Sequence, residues 1–133
     1  HMKSLLDGPD LVLIEGAGGL LSPLTWQHTI LDIATALDAQ VLVVAADRLG
    51  MLNQLRLTLA CLRSRSLRSL TPVVNQPTDP KRRASDCSMG RNAQDCSSLD
   101  DIGKVIQIPF GIEQEAAAAL CSHIVDEILG SGL

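Results

Sequence analysis

Two runs of this chain, Leu11-Val12-Leu13-Ile14 and Val41-Leu42-Val43-Val44-Ala45, contain no polar residue, and this limits its possible folds more than any other feature. A strand with one face in water alternates apolar and polar residues, whereas an unbroken apolar run is expected to be buried on both faces. A parallel sheet covered by helices provides that burial. Neither run approaches the ~18 residues needed to span a bilayer. The first follows Gly8-Pro9-Asp10 and ends in Glu15-Gly16-Ala17-Gly18-Gly19, so a strand is expected to enter a glycine-rich loop. The second ends in Asp47-Arg48-Leu49-Gly50. Leu70 to Val74 and Val105 to Pro109 read as a third and a fourth strand, and Pro77 and Pro80 bar the third from continuing in the sheet.

Between these runs the apolar period changes to that of a helix. Ile30, Ile33, Ala34 and Leu37 give an amphipathic helix from about Gln27 to Leu37. Leu52, Leu55, Leu59 and Leu62 line a second. Ala117, Leu120, Cys121, Ile124 and Ile128 are the expected inner face of a last helix from Glu113 to Leu129. The alternation predicts an α/β fold, a mostly parallel sheet flanked by helices with right-handed crossovers. His1 and Met2 read as a tag scar and start codon, leaving residues 3–133 as a single α/β domain. Residues 76–103 turn polar and charged and read as a surface excursion, and Gly130 to Leu133 as a fraying tail.

Composition excludes several functions. Trp26 and Phe110 are the only aromatic residues and the net charge is −4. The first fact argues against stacking platforms for single-stranded nucleic acid, and the second against a phosphate backbone as partner. Lys81-Arg82-Arg83 is short, is followed by Asp86, and reads as solvated surface. No secretion signal or membrane segment is evident, so a cytoplasmic protein is expected. The four cysteines, Cys61, Cys87, Cys96 and Cys121, form no Cys-x-x-Cys. Reduced thiols are expected, with Cys87 and Cys96 the only pair near enough in sequence to suggest zinc or a disulfide.

In sheets of this kind ligands gather at the carboxyl ends of the strands, which directs attention to the loops beginning at Glu15, Asp47, Asn75 and Pro109. Glu15 would stand at the rim beside glycines whose main chain anything can approach. Such a place suits a hard cation or a phosphate-bearing substrate, or equally a tight turn with a solvated acid. Asn75 offers a donor and an acceptor in one plane, as reading an adenine edge requires, or forms an ordinary turn. Gly50 and Asn53 open a helix, whose free N–H groups favour an anion, although a plain helix start has the same sequence. Gly16-x-Gly18 lacks the spacing of a dinucleotide fingerprint, and Gly103-Lys104 lacks the context of a Walker A loop. His28 and His123 have no partner at triad spacing, and no catalytic residue is assigned.

The stretch from Asp10 to Leu24, with Glu15-Gly16-Ala17-Gly18-Gly19 at its centre, resembles the dethiobiotin synthetase family. Asp32-Ile33-Ala34, Val41 to Asn53, Val73-Val74-Asn75 and Ile108-Pro109-Phe110 continue the match in order, so the likeness covers most of residues 9 to 113. It implies a P-loop NTPase-like fold in which ATP and Mg²⁺ drive the carboxylation and ring closure of 7,8-diaminononanoate with CO₂. By position, Glu15 would be a Mg²⁺ ligand and Gly16, Ala17, Gly18 and Gly19 would lie against the substrate. Asn75, Pro109 and Gly111 would hold adenine. Gly50, Met51, Leu52 and Asn53 would hold the substrate carboxylate across a homodimer interface.

The family's opening strand and P-loop have no counterpart in these residues, so the chain resembles the C-terminal portion of such an enzyme. Little or no synthetase activity is expected from it alone. An exposed edge at Leu11 to Ile14 is also expected, and with it self-association or a companion chain supplying the P-loop. Two other functions compete. One is a relative of the cobyrinate-type amidating ligases, which need a nucleophilic Cys in a context that none of the cysteines has. The other is a non-catalytic nucleotide-fold module with a regulatory or assembly role.

Overall fold

The structure is a computed structural model, and it describes residues 8, 11–77, 96 and 99–130. The chain divides into two compact units, His1–Ala39 and Gln40–Leu133.

In the first unit Leu11 to Ile14 joins no ladder. The run is exposed, Leu13 at 81% and Ile14 at 56%. This corrects the expectation of a doubly buried strand. Apolar sequence supplies the demand for burial, but a strand also needs paired main-chain groups, and no described segment offers them to this run. The chain then doubles back. Leu24 N–H and Thr25 N–H donate to the His28 carbonyl, while Ile30 N–H and Leu31 N–H donate to the carbonyls of Ser22 and Leu20.

The short helix α1, Ile30–Ala36, follows. It starts later than the apolar spacing suggests, because the Thr25 hydroxyl accepts from the N–H groups of Gln27 and His28 and holds those residues in a turn. Thr29 then forms a capping box with Asp32, whose carboxyl accepts the Thr29 N–H at 2.8 Å. Leu31 and Ala34 are the buried residues of α1, whereas Ile30, Ile33 and Leu37 are only half-buried. Trp26 is 99% exposed.

The second unit holds the sheet. Strands β1 (Val44–Ala46), β2 (Val73–Asn75) and β3 (Ile106–Ile108) run parallel in the order β1-β2-β3. Val44 lies opposite Val73, and Val73 opposite Ile106. The expected parallel α/β architecture is present. Burial on both faces holds for β2, where Val73 and Val74 are each 1% exposed, but not for β1, where Val44 is 59% exposed. A helix packs on β1, yet among the described residues nothing covers the face that carries Leu42 and Val44.

Helix α2, Met51–Ser64, buries Met51, Leu55, Leu59 and Leu62 and packs on β1. Its inner face is therefore turned slightly from the expected stripe, with Leu52 half-buried. Helix α3, Gln114–Gly130, half-buries Ala117, Leu120 and Ile124, whereas Cys121, expected inside, is exposed. Most of the polar excursion lies outside the described residues, as do Cys87 and the basic run. Cys96 within it and the turn after it are not surface features. Cys96 is 0% exposed and Ile102 is 9% exposed, Asp101 pairs with Arg56 at 2.7 Å, and the Asp101 carbonyl accepts from Arg63. Among the described residues no helix is long and apolar enough to cross a membrane.

Candidate functional site

The sheet brings three of the four chosen loops to one edge. Asp47 follows β1, Gln76 follows Asn75 at the end of β2, and Pro109 follows β3. Main-chain bonds join the tips: Asp47 N–H donates to the Asn75 carbonyl at 2.7 Å, and Gln76 N–H to the Ile108 carbonyl at 2.9 Å. Parallel pairing in register forces this result, because strands that start together also end together.

Asn75 is half-buried, and its carboxamide makes no hydrogen bond among the described residues. Its carbonyl is spent on Asp47, so the side chain remains as an unspent donor and acceptor at the rim. Pro109 and Phe110, both exposed, follow Ile108, the register partner of Asn75. Gly111 takes φ +68 and so turns the chain where a side chain would be strained.

The start of α2 lies just beyond Asp47. Gly50 is its N-cap in the left-handed region, and no side chain caps the helix. The Met51 N–H is used by the Arg48 carbonyl, which leaves the N–H groups of Leu52 and Asn53 at an uncapped, partially positive helix end. Met51 itself is 1% exposed and serves the core. Of the sequence-chosen group, Asn53 is exposed and Leu52 half-buried.

Glu15 and Gly16 to Gly19 belong to the first unit, where all five are exposed. One of the glycines is required locally and another is closely packed. A Cβ on Gly16 would come within 3.2 Å of the Ile30 side chain. Gly18 has φ +87, and a Cβ there would collide with the Ser22 hydroxyl. The bare main chain thus lets this segment fold tightly onto the residues leading into α1. Among the described residues no three acidic, histidine or cysteine side chains are grouped to hold a metal.

Sequence reasoning passed over Asp47 and Gln76 as individual residues. Asp47 is 0% exposed, and its Oδ2 accepts from Gln76 Nε2 at 3.3 Å. The available signal was an acid placed directly after an apolar strand, the same pattern that drew attention to Glu15.

A family model described as an AAA domain matches residues 1–117. The ATP-dependent dethiobiotin synthetase BioD of Rhodococcus jostii (strain RHA1) is 38% identical over 119 residues, covering 89% of this chain and 50% of that protein. The protein of the same name from Saccharopolyspora erythraea is 40% identical over 111 residues, 83% of this chain and 45% of the relative. That of Caulobacter sp. (strain K31) is 36% identical over 121 residues, 91% and 49% respectively. The chain spans about half the length of these curated relatives.

Proposed function

The chain belongs to the dethiobiotin synthetase family, and on that premise we propose that it contributes to the ATP- and Mg²⁺-dependent carboxylation and ring closure of 7,8-diaminononanoate to dethiobiotin. The observation that supports this reading best is the shared edge at which Asp47, Asn75 and Pro109 emerge, with the Asn75 carboxamide unspent. One amide plane can donate to and accept from the edge of an adenine ring, while Pro109 and Gly111 give the ring a wall without polar side chains.

In the proposed reaction one amine of the substrate takes up CO₂ as a carbamate, and transfer of the γ-phosphoryl of ATP makes it a mixed anhydride. The second amine attacks the carbonyl carbon and phosphate leaves with the C–O bonding pair. ATP and Mg²⁺ supply the phosphoryl group and the charge neutralisation. The chain's own residues bind and orient. Glu15 offers one carboxylate to the cation. Gly16, Ala17, Gly18 and Gly19 present main chain that the diamine can approach closely. The open N–H groups of Leu52 and Asn53 favour the substrate's carboxylate, in a homodimer that brings a second copy against this helix start.

These residues contain no Walker A sequence, and Lys3, Lys81 and Lys104 stand in no such sequence context. Phosphoryl transfer rests on positioning and charge stabilisation by such a loop. These residues by themselves are therefore expected to turn over little or no substrate. ADP release in the presence of diaminononanoate, bicarbonate, Mg²⁺ and ATP measures this directly, and robust turnover by the chain alone would refute it.

A further inference from the structure

Asp47 is the one polar or charged residue buried among the described residues, at 0% exposure. Its surroundings otherwise favour apolar side chains: Met51 at 1% follows it on α2, and Val73 and Val74 at 1% lie in the neighbouring strand. Burying a carboxyl group there is costly unless its hydrogen bonds are made within the protein. A polar group kept in such a place fixes the orientation of whatever it bonds.

Asp47 bonds the end of β2 with two different groups. Its main-chain N–H takes the Asn75 carbonyl at 2.7 Å, and its Oδ2 takes the Gln76 carboxamide at 3.3 Å. On the other side the Gln76 N–H is anchored to β3 through Ile108 at 2.9 Å. Asn75 is therefore held at its own carbonyl and at both the main chain and the side chain of the residue that follows, while its carboxamide alone is left open.

We propose that Asp47 is a positioning residue for base recognition: through Gln76 it fixes the tip of β2 so that the Asn75 carboxamide presents its donor and acceptor in one orientation. The proposal rests on the reading of Asn75 as the adenine contact. Planar, two-point recognition tolerates errors of only about half an ångström. A tip loosened by loss of the Gln76 bond therefore loses selectivity between bases as well as affinity.

The test uses the whole chain with adenosine and guanosine as probes, because neither needs phosphate contacts, and follows both titrations by NMR. Wild type is expected to prefer adenosine. Asp47→Ala removes the acceptor, and Gln76→Ala removes the donor from the half-buried end of the same bond, where folding is at less risk. Each is expected to weaken adenosine binding about tenfold and to narrow the preference over guanosine. Asp47→Asn keeps an acceptor oxygen and is expected to retain the preference. Retention of wild-type affinity and preference by Gln76→Ala overturns the positioning role, as does equal weakening of both nucleosides. A wild-type chain with no preference overturns the base-reading role of Asn75 itself, and the proposal with it.

Discussion

Thr71 donates both its N–H and its hydroxyl to the same oxygen of Glu127, at 2.7 and 2.5 Å, and so ties the last turns of α3 to the segment that leads into β2. Partial burial raises the Glu127 pKa. The hydroxyl and N–H of Thr71, with His123 and Lys104 nearby, outweigh that effect and hold it below its ordinary value near 4.5. A carboxyl with a depressed folded pKa contributes stability that is fully present above its unfolded pKa. The contribution fades as pH falls through the folded value. Amide exchange in α3 is expected to be slow at pH 6 and to accelerate below about pH 4, beyond its intrinsic pH dependence. Glu127→Gln should lose about 1 kcal/mol at pH 6 and flatten that acid response. An unchanged acid response in the variant would show that another group is responsible.

Gly18 makes a sharper test of the glycine-rich segment than its neighbours. Its φ of +87 strains any L side chain, and an added Cβ would strike the Ser22 hydroxyl. Gly18→Ala is expected to cost about 1–2 kcal/mol from the backbone conformation alone. The double change with Ser22→Ala should recover the collision but not the strain. Urea denaturation of the three proteins separates the two contributions. Full recovery in the double variant would mean that the chain does not hold this φ.

The turn over residues 99–103 is held by an ion pair to α2 and by the burial of Ile102, and magnitudes decide between them. Arg56 and Asp101 are 54% and 39% exposed, so their pairing is worth about 0.5 kcal/mol. Ile102, 9% exposed, loses about 2 kcal/mol on truncation to Ala, at the low end for a buried aliphatic residue. Ile102→Ala should therefore lower the midpoint of unfolding well beyond Arg56→Ala. Raising the salt concentration should affect only the smaller difference. The opposite ranking would make the ion pair the principal tie.

The parallel sheet was readable because its strands are short apolar runs separated by helical spacing, a pattern that few other folds share. Its tips were readable as well, since Asp47 and Asn75 are the polar residues that end their apolar runs and Pro109 bars its strand from continuing. The fate of Leu11 to Ile14 was not readable. Hydrophobicity states what a segment would bury, but pairing depends on a partner elsewhere in space. The faces of α1 and α2 were off by about one residue for a related reason: Ile30 and Leu52 fit the helical period, yet Thr29 and Gly50 set where each helix begins. The Asp47–Gln76 contact joins residues 29 apart in sequence, and only the register of β1 on β2 brings them together.

The outer edge of β1 carries a last consequence. Val41, Val43 and Asp47 direct their main-chain groups to the β2 side. The groups of Leu42, Val44 and Ala46 therefore point off the sheet, since alternate residues of a strand face opposite edges. Among the described residues nothing pairs with them, and Leu42 and Val44 are 36% and 59% exposed. This edge has no lysine or proline within Val41–Ala46 to discourage a neighbouring strand. The chain is expected to associate as its concentration rises, either with itself or with a companion that supplies a strand. Val44→Lys should reduce that association while leaving β1 paired to β2, because the side chain it replaces already faces solvent. Size-exclusion chromatography over a hundredfold concentration range reads the outcome. A wild-type chain that stays monomeric throughout would mean that the edge is already covered.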